Sequence, residues 1–364
     1  MKILYDSQIF WMQKFGGISR YFYQLCKYSG SNYDYHISGV YSENEYALEL
    51  SQMKPFPIQE YFKGKGKIIH FLNKHNDKKQ LNRSEYDIFH PTYYFDFTKY
   101  DIKKPIVLTA HDFIHEIYSD YFSPNDKTKE MKSLALNKAD KIIAISNNTR
   151  DDLLKYYPEI DESKIKVVYH SIEWTVRDKK DLFFDLNRPY ILFTGGRGGY
   201  KNFKLFLEAC APLLTKNELL LVCTGSKFTP EEIEHIKSFH LQDNCIQIYV
   251  SEEELRNLYE NAICFVFPSL YEGFGFPILE SFISQCPVLA SNTSCFPEIA
   301  GDAAVFFNPS DVEDMREKIK AVLESKSLRD SMINKGLKRS SDFSIDRMIN
   351  DTYNLYKSIG GGTI

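Results

Sequence analysis

Short apolar runs alternate with longer amphipathic segments along most of the chain. Residues 2–5 form the first apolar run, and GGISRYFYQLCKYS (16–29) then begins at a glycine pair with the spacing of an amphipathic helix. A second helical pattern extends from Asn147 to Tyr157 and ends at Pro158. Around these helices, further apolar runs predict strands at YDIFHP, PIVLTAH, KIIAIS and KIKVVYH.

The alternation stops at Glu173 and resumes after Pro189. The intervening EWTVRDKKDLFFDLNRP is mostly polar and irregular, which is typical of a linker between domains. Beyond it, strands are predicted at YILFTGG, LLLVCTG, CIQIYV, ICFVFPS and PVLAS. Helices are predicted between them, for example at 201–215, 229–240 and 252–260, and residues 310–358 are largely helical in pattern.

Strands that alternate with helices of this length predict an α/β chain with parallel sheets and right-handed crossovers. We predict two Rossmann-like domains, at 1–173 and 189–342, joined by a linker at 174–188. Parallel sheets bind ligands at the carboxyl ends of their strands. Two such sheets that face each other would form an interdomain cleft for a substrate.

Composition and charge narrow the class of protein. The chain has 364 residues, 43% hydrophobic and 26% charged, with a net charge of −4, so nothing indicates a nucleic-acid partner. Its seven cysteines form no C-x-x-C pair, and several lie in apolar runs, as expected of buried thiols in a reducing cytoplasm. The first residues lack a signal-peptide pattern, and no run of about 18 apolar residues predicts a membrane span. We therefore expect a cytoplasmic protein.

A glycine-rich segment, ILFTGGRGGYKNF, follows the first strand of the second half. Its glycines allow backbone N–H groups to approach an anion, and Arg197 and Lys201 add two cations beside a helix N-terminus. This is the chemistry that a diphosphate requires, although the segment is neither a P-loop nor a G-x-G-x-x-G motif. A glycine turn with solvated charges is the alternative.

Two segments of the first half also follow apolar runs. In FGGISRYF, Gly16 and Gly17 precede a helix N-terminus, where they could hold a phosphate or form an ordinary tight loop. In VLTAHDFIHE, His111 and Asp112 come just past a strand, as a polar pair facing a cleft would. His115 lies four residues after His111, but the H-E-x-x-H pattern is absent, so we predict no metal site. The chain also contains no Asp-x-Asp triplet that would hold a nucleotide through a metal.

The segment SLYEGFGFPILES places Glu272 and Glu280 on either side of a glycine-rich turn that leads into a helix. A continuous helix would separate them by about 12 Å, whereas a glycosidase pair lies roughly 5 to 9.5 Å apart. We interpret each carboxylate as an acceptor for hydroxyl groups of its own target, a sugar ring and a ribose. A capped amphipathic helix with exposed glutamates remains the alternative.

Several of these segments together resemble one family. In chain order they are FGGISRYF, VLTAHDFIHE, ADKIIAISNNTRDDLLKYYPEI, KIKVVYHSI, LFTGGRGGYKNF and PSLYEGFGFPILES. They resemble the retaining GT-B glycosyltransferases of family 4, and the last segment matches that family's E-x7-E motif. The segments also resemble bacterial enzymes that build O-antigen and other surface polysaccharides.

The resemblance implies roles for the residues of both halves. Glu280 would bind the donor ribose, and Glu272 would bind hydroxyls of the donor sugar. Arg197 and Lys201 would hold the diphosphate and stabilise the leaving group, and His111 would face the donor sugar. The other implied donor contacts are Gly16 and Gly17 beside the phosphate, the amides of Gly273, Phe274, Gly275 and Phe276 beside the sugar, and Tyr249 and Val250 beside the nucleobase.

The resemblance also implies an activity and a partner. It implies transfer of a hexose, with mannose favoured, from a nucleotide diphosphate sugar to a glycan or lipid-linked glycan, without a metal or other cofactor. It further implies that a C-terminal helix at 343–359 packs back on the first domain. Two alternatives stay open at this point: a nucleotide-sugar epimerase on the same fold, and a non-catalytic nucleotide-sugar-binding protein.

The acceptor side has one sequence signal, a basic segment at 61–83. Cationic side chains surround the apolar IIHFL there: Lys63, Lys65, Lys67, Lys74, Lys78, Lys79 and Arg83. Such a segment could rest on the anionic inner face of the cytoplasmic membrane, where a lipid-linked acceptor would be found. A solvated basic helix is the alternative.

Overall fold

The structure, a computed structural model, describes residues 1–58, 60, 62–96 and 99–360. The described chain divides into two compact units. The first comprises Met1–Ser171 together with the described residues from Ile345 onward, and the second is Ile172–Ser344. Strands and helices alternate in both units, as the hydrophobic pattern predicts.

The strands are short and numbered here in chain order. They are β1 (Lys2–Tyr5), β2 (Asp34–Ile37), β3 (Tyr41–Ser42), β4 (Lys54–Pro55), β5 (Ile88–His90), β6 (Val107–Ala110), β7 (Lys141–Ala144), β8 (Ile165–Val167), β9 (Tyr190–Phe193), β10 (Leu220–Thr224), β11 (Cys245–Ile248), β12 (Cys264–Phe267), β13 (Val288–Ser291) and β14 (Ala304–Phe307).

The helices are numbered in the same way. They are α1 (Gln8–Met12), α2 (Gly17–Lys27), α3 (Glu45–Glu49), α4 (Lys65–Arg83), α5 (Ile114–Ile117), α6 (Thr128–Lys138), α7 (Asn147–Tyr156), α8 (Phe203–Lys216), α9 (Pro230–Ser238), α10 (Glu252–Asn261), α11 (Phe276–Ile283), α12 (Phe296–Ala300), α13 (Val312–Glu324), α14 (Lys326–Ser340) and α15 (Ile345–Ile359). Short 3₁₀ turns occur at Ser119–Tyr121, Glu162–Lys164, Gly199–Lys201 and Gly301–Ala303.

Parallel strands form the centre of the first unit. Strand β1 pairs with β2 on one side and β5 on the other, and β7 pairs with β6 and β8. A parallel bridge between Phe89 and Ile106 links the two groups. Helix α15 belongs to this unit because its apolar face, including Met348 and Tyr356, is buried in the core that packs on β1.

The second unit is built on one parallel sheet of six strands in the order β11-β10-β9-β12-β13-β14. Every residue of β9 and β12 is buried, as expected where helices cover both faces of a parallel sheet. Because β9, β12 and β13 are neighbours, the loops that follow their carboxyl ends lie next to one another. These three loops contain the Arg197–Lys201 segment, Glu272 and Ser294, and the loop with Glu272 leads into α11, which carries Glu280.

The segment between Ser171 and Tyr190 has almost no regular structure, and much of it is fastened to α10 of the second unit. Arg177 pairs with Glu253 at 2.7 Å and with Glu260 at 2.6 Å. Arg256 donates to the carbonyl of Thr175 at 2.6 Å.

Taken over the described residues, no helix is both long enough and apolar enough to span a bilayer.

Candidate active site

The glycine-rich loop after β9 presents its backbone to open space. Gly195 and Gly199 have φ values of +88° and +53°, which are left-handed conformations that suit glycine. A Cβ added at Gly195, Gly196 or Gly198 would meet no atom within 4 Å. The loop therefore leaves room for a ligand to approach its amides, and it ends in the 3₁₀ turn that carries Lys201.

Lys201 and Glu272 form an ion pair in this site. The Lys201 Nζ lies 2.6 Å from Glu272 Oε1, and both side chains are partly exposed. Their loops are also joined through the backbone, since the Leu270 N–H donates to the Tyr200 carbonyl at 2.7 Å. The structure thus brings together two residues that are 71 positions apart in the chain.

Ser294 holds the Glu272 backbone from the loop after β13. Its Oγ accepts from the Glu272 N–H at 3.2 Å and donates to the Glu272 carbonyl at 2.6 Å. Downstream, Gly275 adopts a φ of +91° at the start of α11, so the chain turns sharply before Phe276. Phe274 is buried and its ring contacts that of Phe276, whereas the Glu272 side chain is partly exposed beside Lys201.

Glu280 occupies a different environment from Glu272. It lies on α11, is only 6% exposed, and its Oε2 is 3.3 Å from the hydroxyl of Tyr259 on α10. The same hydroxyl lies 3.3 Å from Oγ1 of Thr194, the last residue before the glycine-rich loop. The two glutamates therefore have different side-chain partners, Lys201 for Glu272 and Tyr259 for Glu280.

Arg197 is a buried residue of the glycine-rich loop itself. Its Nε pairs with Glu232 on α9 at 3.1 Å, and its Nη2 donates to the carbonyls of Ser226 and Lys227 at 2.6 and 3.0 Å. The guanidinium also packs over the ring of Phe228, 4.8 Å from its centroid. Its Nη1 is buried and has no hydrogen-bond partner among the described residues. Most of the hydrogen-bonding capacity of Arg197 thus goes to the protein itself.

His111 is the predicted site residue at the end of β6 in the first unit. It is 4% exposed, and neither ring nitrogen has a hydrogen-bond partner within the described part of the chain. Burial lowers the pKa of His111 to about 4; nearby Asp112 opposes this shift and Lys132 adds to it. The imidazole is therefore neutral near pH 7.

Buried side chains hold the backbone of His111 and of the next residue, Asp112. The His111 N–H donates to the Tyr94 hydroxyl at 3.1 Å, and the Lys132 Nζ donates to the next carbonyl, that of Asp112, at 2.8 Å. Lys132 also pairs with Glu116 at 2.7 Å, and both of these side chains are fully buried. Glu116 in turn accepts from the Tyr157 hydroxyl at 2.7 Å.

The remaining predicted residues take no part in the contacts described above. Gly16 is the N-cap of α2, where a Cβ would come within 2.5 Å of Gln13 Oε1, and Gly17 is the first residue of that helix. Tyr249 and Val250 follow β11, and the Tyr249 side chain is 68% exposed. Across the described residues, no group of three or more His, Cys, Asp or Glu is placed to hold a metal ion.

Two family profiles match consecutive parts of the chain. Residues 15–173 match Glycosyltransferase Family 4, and residues 176–339 match Glycosyl transferases group 1. The chain is a glycosyltransferase that contains both of these family domains. The boundary between the two matches falls in the segment that joins the two structural units.

Curated relatives of this glycosyltransferase include two enzymes of O-antigen synthesis. It is 29% identical over 267 residues to O-antigen chain mannosyltransferase B of Escherichia coli, a match that covers 69% of this chain and 70% of the relative. It is 26% identical over 217 residues to O-antigen chain mannosyltransferase RfbU of Salmonella typhimurium, covering 59% of this chain and 60% of the relative. The second match therefore spans less than two thirds of that relative's length.

Solved structures show the fold of this glycosyltransferase. HepE of Anabaena, solved in complex with UDP and glucose, aligns with a TM-score of 0.76 at 14% identity, over 98% of this chain and 99% of that one. The predicted GT-B fold, with its parallel-sheet domains, is confirmed.

Sequence reasoning missed several residues that hold the predicted site residues of each unit: Tyr94 and Lys132 in the first unit, and Glu232, Tyr259 and Ser294 in the second. Tyr259, for example, lies in the amphipathic pattern of α10, where a buried aromatic residue is the ordinary expectation. Its hydroxyl becomes informative only when α10 and α11 are seen side by side. Each of the other four residues likewise contacts a predicted residue of its own unit across a long sequence separation.

Proposed function

We propose that this protein is a retaining mannosyltransferase that uses a nucleoside diphosphate mannose and extends a glycan or lipid-linked glycan of the O-antigen type. The observation that carries the proposal is the cluster of Lys201, Glu272 and the open glycine-rich loop at adjacent strand ends. The choice of sugar and pathway is supported by the two relatives named as O-antigen chain mannosyltransferases.

The proposed reaction breaks the bond between the mannose C1 and the diphosphate oxygen. The acceptor hydroxyl oxygen bonds to C1 on the same face, and its proton passes to the departing phosphate oxygen. Negative charge grows on that phosphate, so Lys201 and the loop amides stabilise the transition state more than the bound donor. The loop amides and Lys201 supply the positive potential for which other enzymes use a metal ion, and we propose that no metal takes part.

The glutamates and Arg197 have distinct parts in this proposal. Glu272, near the surface and next to Lys201, accepts hydrogen bonds from hydroxyls of the donor sugar, together with the amides of residues 273–276. Glu280 accepts from the ribose hydroxyls. Arg197 supports the loop through Glu232, and its Nη1 is the group left for the diphosphate.

The donor assignment is tested by nucleotide binding and then by transfer. We expect GDP or UDP to raise the melting temperature, and Glu280→Ala to weaken that nucleotide's binding by about 10- to 100-fold, since hydrogen bonds to a charged group are lost. Isothermal titration measures the dissociation constants. Glu317→Ala, which removes an exposed carboxylate on α13 of the same unit, serves as the control and keeps the wild-type affinity.

Radiolabelled nucleotide sugars with a lipid-linked glycan acceptor then test the activity itself, with EDTA present to test metal independence. Transfer of mannose with retained anomeric configuration supports the proposal. Interconversion of the free nucleotide sugar without an acceptor would instead identify an epimerase. Nucleotide binding without any turnover over a full panel of sugars and acceptors would identify a binding protein.

The surface of helix α4 supports the use of a lipid-linked acceptor at a membrane. Its outer face exposes Phe71, Ile68 and Leu72, which are 70%, 43% and 37% exposed. Five exposed cations flank them on α4: Lys67, Lys74, Lys78, Lys79 and Arg83. The acidic residue of the helix, Asp77, points the other way and accepts from Ser7 at 2.6 Å. The predicted segment 61–83 begins at Tyr61, which lies outside the described residues.

The inner face of α4 lies against loops that follow β1 and β2. Asn73 Oδ1 accepts from the backbone of Val40 and Tyr41 at 2.9 and 3.0 Å, and Asp77 also accepts from Ser38. These loops follow the carboxyl ends of their strands, which is where parallel sheets bind ligands. We propose that α4 rests on anionic lipid and so brings the strand ends of the first unit close to a lipid-linked acceptor.

Vesicle binding tests this surface. We expect Phe71→Ser to weaken binding to vesicles containing phosphatidylglycerol by about tenfold, because burial of the ring in the interface is lost. Sedimentation with the vesicles measures the bound fraction, and added salt should release the protein. Ile233→Ser, at a residue 41% exposed on α9 of the other unit, is the control. Equal binding of Phe71→Ser and wild type would remove α4 from the contact.

A further inference from the structure

Tyr259 connects the glycine-rich loop to the helix that carries Glu280. The side chain is completely buried on α10, and its hydroxyl lies 3.3 Å from both Thr194 Oγ1 and Glu280 Oε2. Thr194 directly follows the last residue of β9, whereas Glu280 lies on α11. The Tyr259 hydroxyl therefore joins the glycine-rich loop, which would face the donor diphosphate, to α11, whose Glu280 would bind the donor ribose.

The directions of these hydrogen bonds follow from protonation. Burial, followed by the neighbouring Glu280 carboxylate, raises the pKa of Tyr259 well above its usual value, so the phenol keeps its proton. A carboxylate only accepts, so the Tyr259 O–H donates to Glu280. The Thr194 hydroxyl then donates to the Tyr259 oxygen. The resulting chain, Thr194 to Tyr259 to Glu280, ends on a charged acceptor, which is the stronger class of hydrogen bond.

Tyr259 is itself held on a well-anchored helix. A capping box of Ser251 and Glu254 starts α10, and Arg256 pairs with Glu260 one turn along at 3.1 Å. The ring of Tyr259 also packs edge-on against Phe265 of β12, with centroids 5.3 Å apart. The hydroxyl is thus a fixed point, and a carboxylate bonded to it loses rotational freedom before any ligand arrives.

We propose that Tyr259 is a positioning residue, which holds the Glu280 carboxylate in the orientation that accepts the donor ribose hydroxyls. The proposal rests on the ribose role given to Glu280 under the proposed function. A carboxylate accepts about four hydrogen bonds, so the bond from Tyr259 is compatible with ribose hydroxyls on the same group. Because Tyr259 also accepts from Thr194, it sets the ribose position relative to the phosphate-facing loop.

The test compares ribose-containing and ribose-lacking ligands in the full-length protein. Dissociation constants are measured for GDP and UDP and for their 2′,3′-dideoxy counterparts. In the wild type, the ribonucleotide that binds should do so more tightly than its dideoxy form. Tyr259→Phe should weaken the ribonucleotide by about tenfold and leave the dideoxy form nearly unchanged, so the ratio between the two shrinks.

Tyr190→Phe is the matched control. Tyr190 is also buried in this unit, and its hydroxyl donates to the carbonyl of Leu258, the residue before Tyr259, at 2.7 Å. It should lose stability as Tyr259→Phe does, but keep the wild-type ratio of affinities. A purely structural role for Tyr259 would give both variants the same unchanged ratio, and that result overturns the inference.

The outcomes also separate this inference from the proposed function. A wild-type protein that binds ribo- and dideoxynucleotides equally would refute the ribose role of Glu280, and the role of Tyr259 with it. A wild type that discriminates, with a Tyr259→Phe variant that discriminates equally well, refutes only the positioning role. If Tyr259→Phe does not fold, Thr194→Val decides: a smaller ratio supports the inference and an unchanged ratio overturns it.

Discussion

Replacing Lys201 with alanine should lower turnover by about 100- to 1,000-fold, the range seen when a preorganised group at developing negative charge is removed. The dissociation constant of the donor should rise far less, because Lys201 interacts most strongly with the phosphate as it departs. Steady-state transfer assays give kcat, and titration with the intact nucleotide sugar gives the donor affinity. The expected signature is a fall in kcat at nearly constant donor binding.

Lys204→Ala is the matched control for this experiment. Lys204 lies on the first turn of α8, three residues after Lys201, and is exposed, so the variant makes the same change in net charge. It should retain wild-type turnover. Near-normal turnover of Lys201→Ala would refute its leaving-group role, and a parallel loss in donor affinity and kcat/KM at constant kcat would make Lys201 a binding residue only.

Replacing Lys132 with methionine should destabilise the first unit by about 3 to 5 kcal/mol, since it leaves a buried carboxylate without its partner. Lys132 and Glu116 are both fully buried, 2.7 Å apart. Methionine fills a similar volume, so the lost charge dominates the effect. Urea unfolding followed by Trp11 fluorescence in a Trp174→Phe background reports on the first unit, because the chain has two tryptophans.

The double variant Lys132→Met/Glu116→Gln separates charge from packing. It removes both charges, and the carbonyl oxygen of the introduced amide would still accept a hydrogen bond from Tyr157, which donates to Glu116 in the wild type. Most of the lost stability should return. A single variant that loses less than about 1 kcal/mol, as an exposed pair would, would contradict the buried ion pair.

The strand-end loops could be predicted from the sequence because each prediction depends only on a local sequence pattern. An apolar run followed by glycines and a helical period indicates a strand, a turn and a helix N-terminus without knowledge of the rest of the chain. Glu272 and Glu280 are likewise separated by one local turn, so a turn followed by a helix start could be anticipated between them. The GT-B fold follows from the same alternation repeated in two halves and from the ordered family motifs.

The contacts between loops could not be predicted in this way. The sequence predicted Arg197 as a cation for a diphosphate, with a solvated charge as the alternative; in the structure it is buried and paired with Glu232, 35 residues away. Tyr259 meets Glu280 only because α10 and α11 pack together on neighbouring strands. Such pairs depend on strand order and helix placement, which hydrophobic periodicity does not encode. The diphosphate role of Arg197 stays a prediction.

The backbone hydrogen bond between Leu270 and Tyr200 has a consequence for protein engineering. It joins the loop after β9 to the loop after β12, and the Asn202 side chain adds a second link by donating to the Pro268 carbonyl at 3.2 Å. These hydrogen bonds therefore hold the two loops together, although the loops are far apart in the sequence. Grafting either loop alone from another enzyme would leave mismatched backbone partners, so donor preference should be exchanged by transplanting both together.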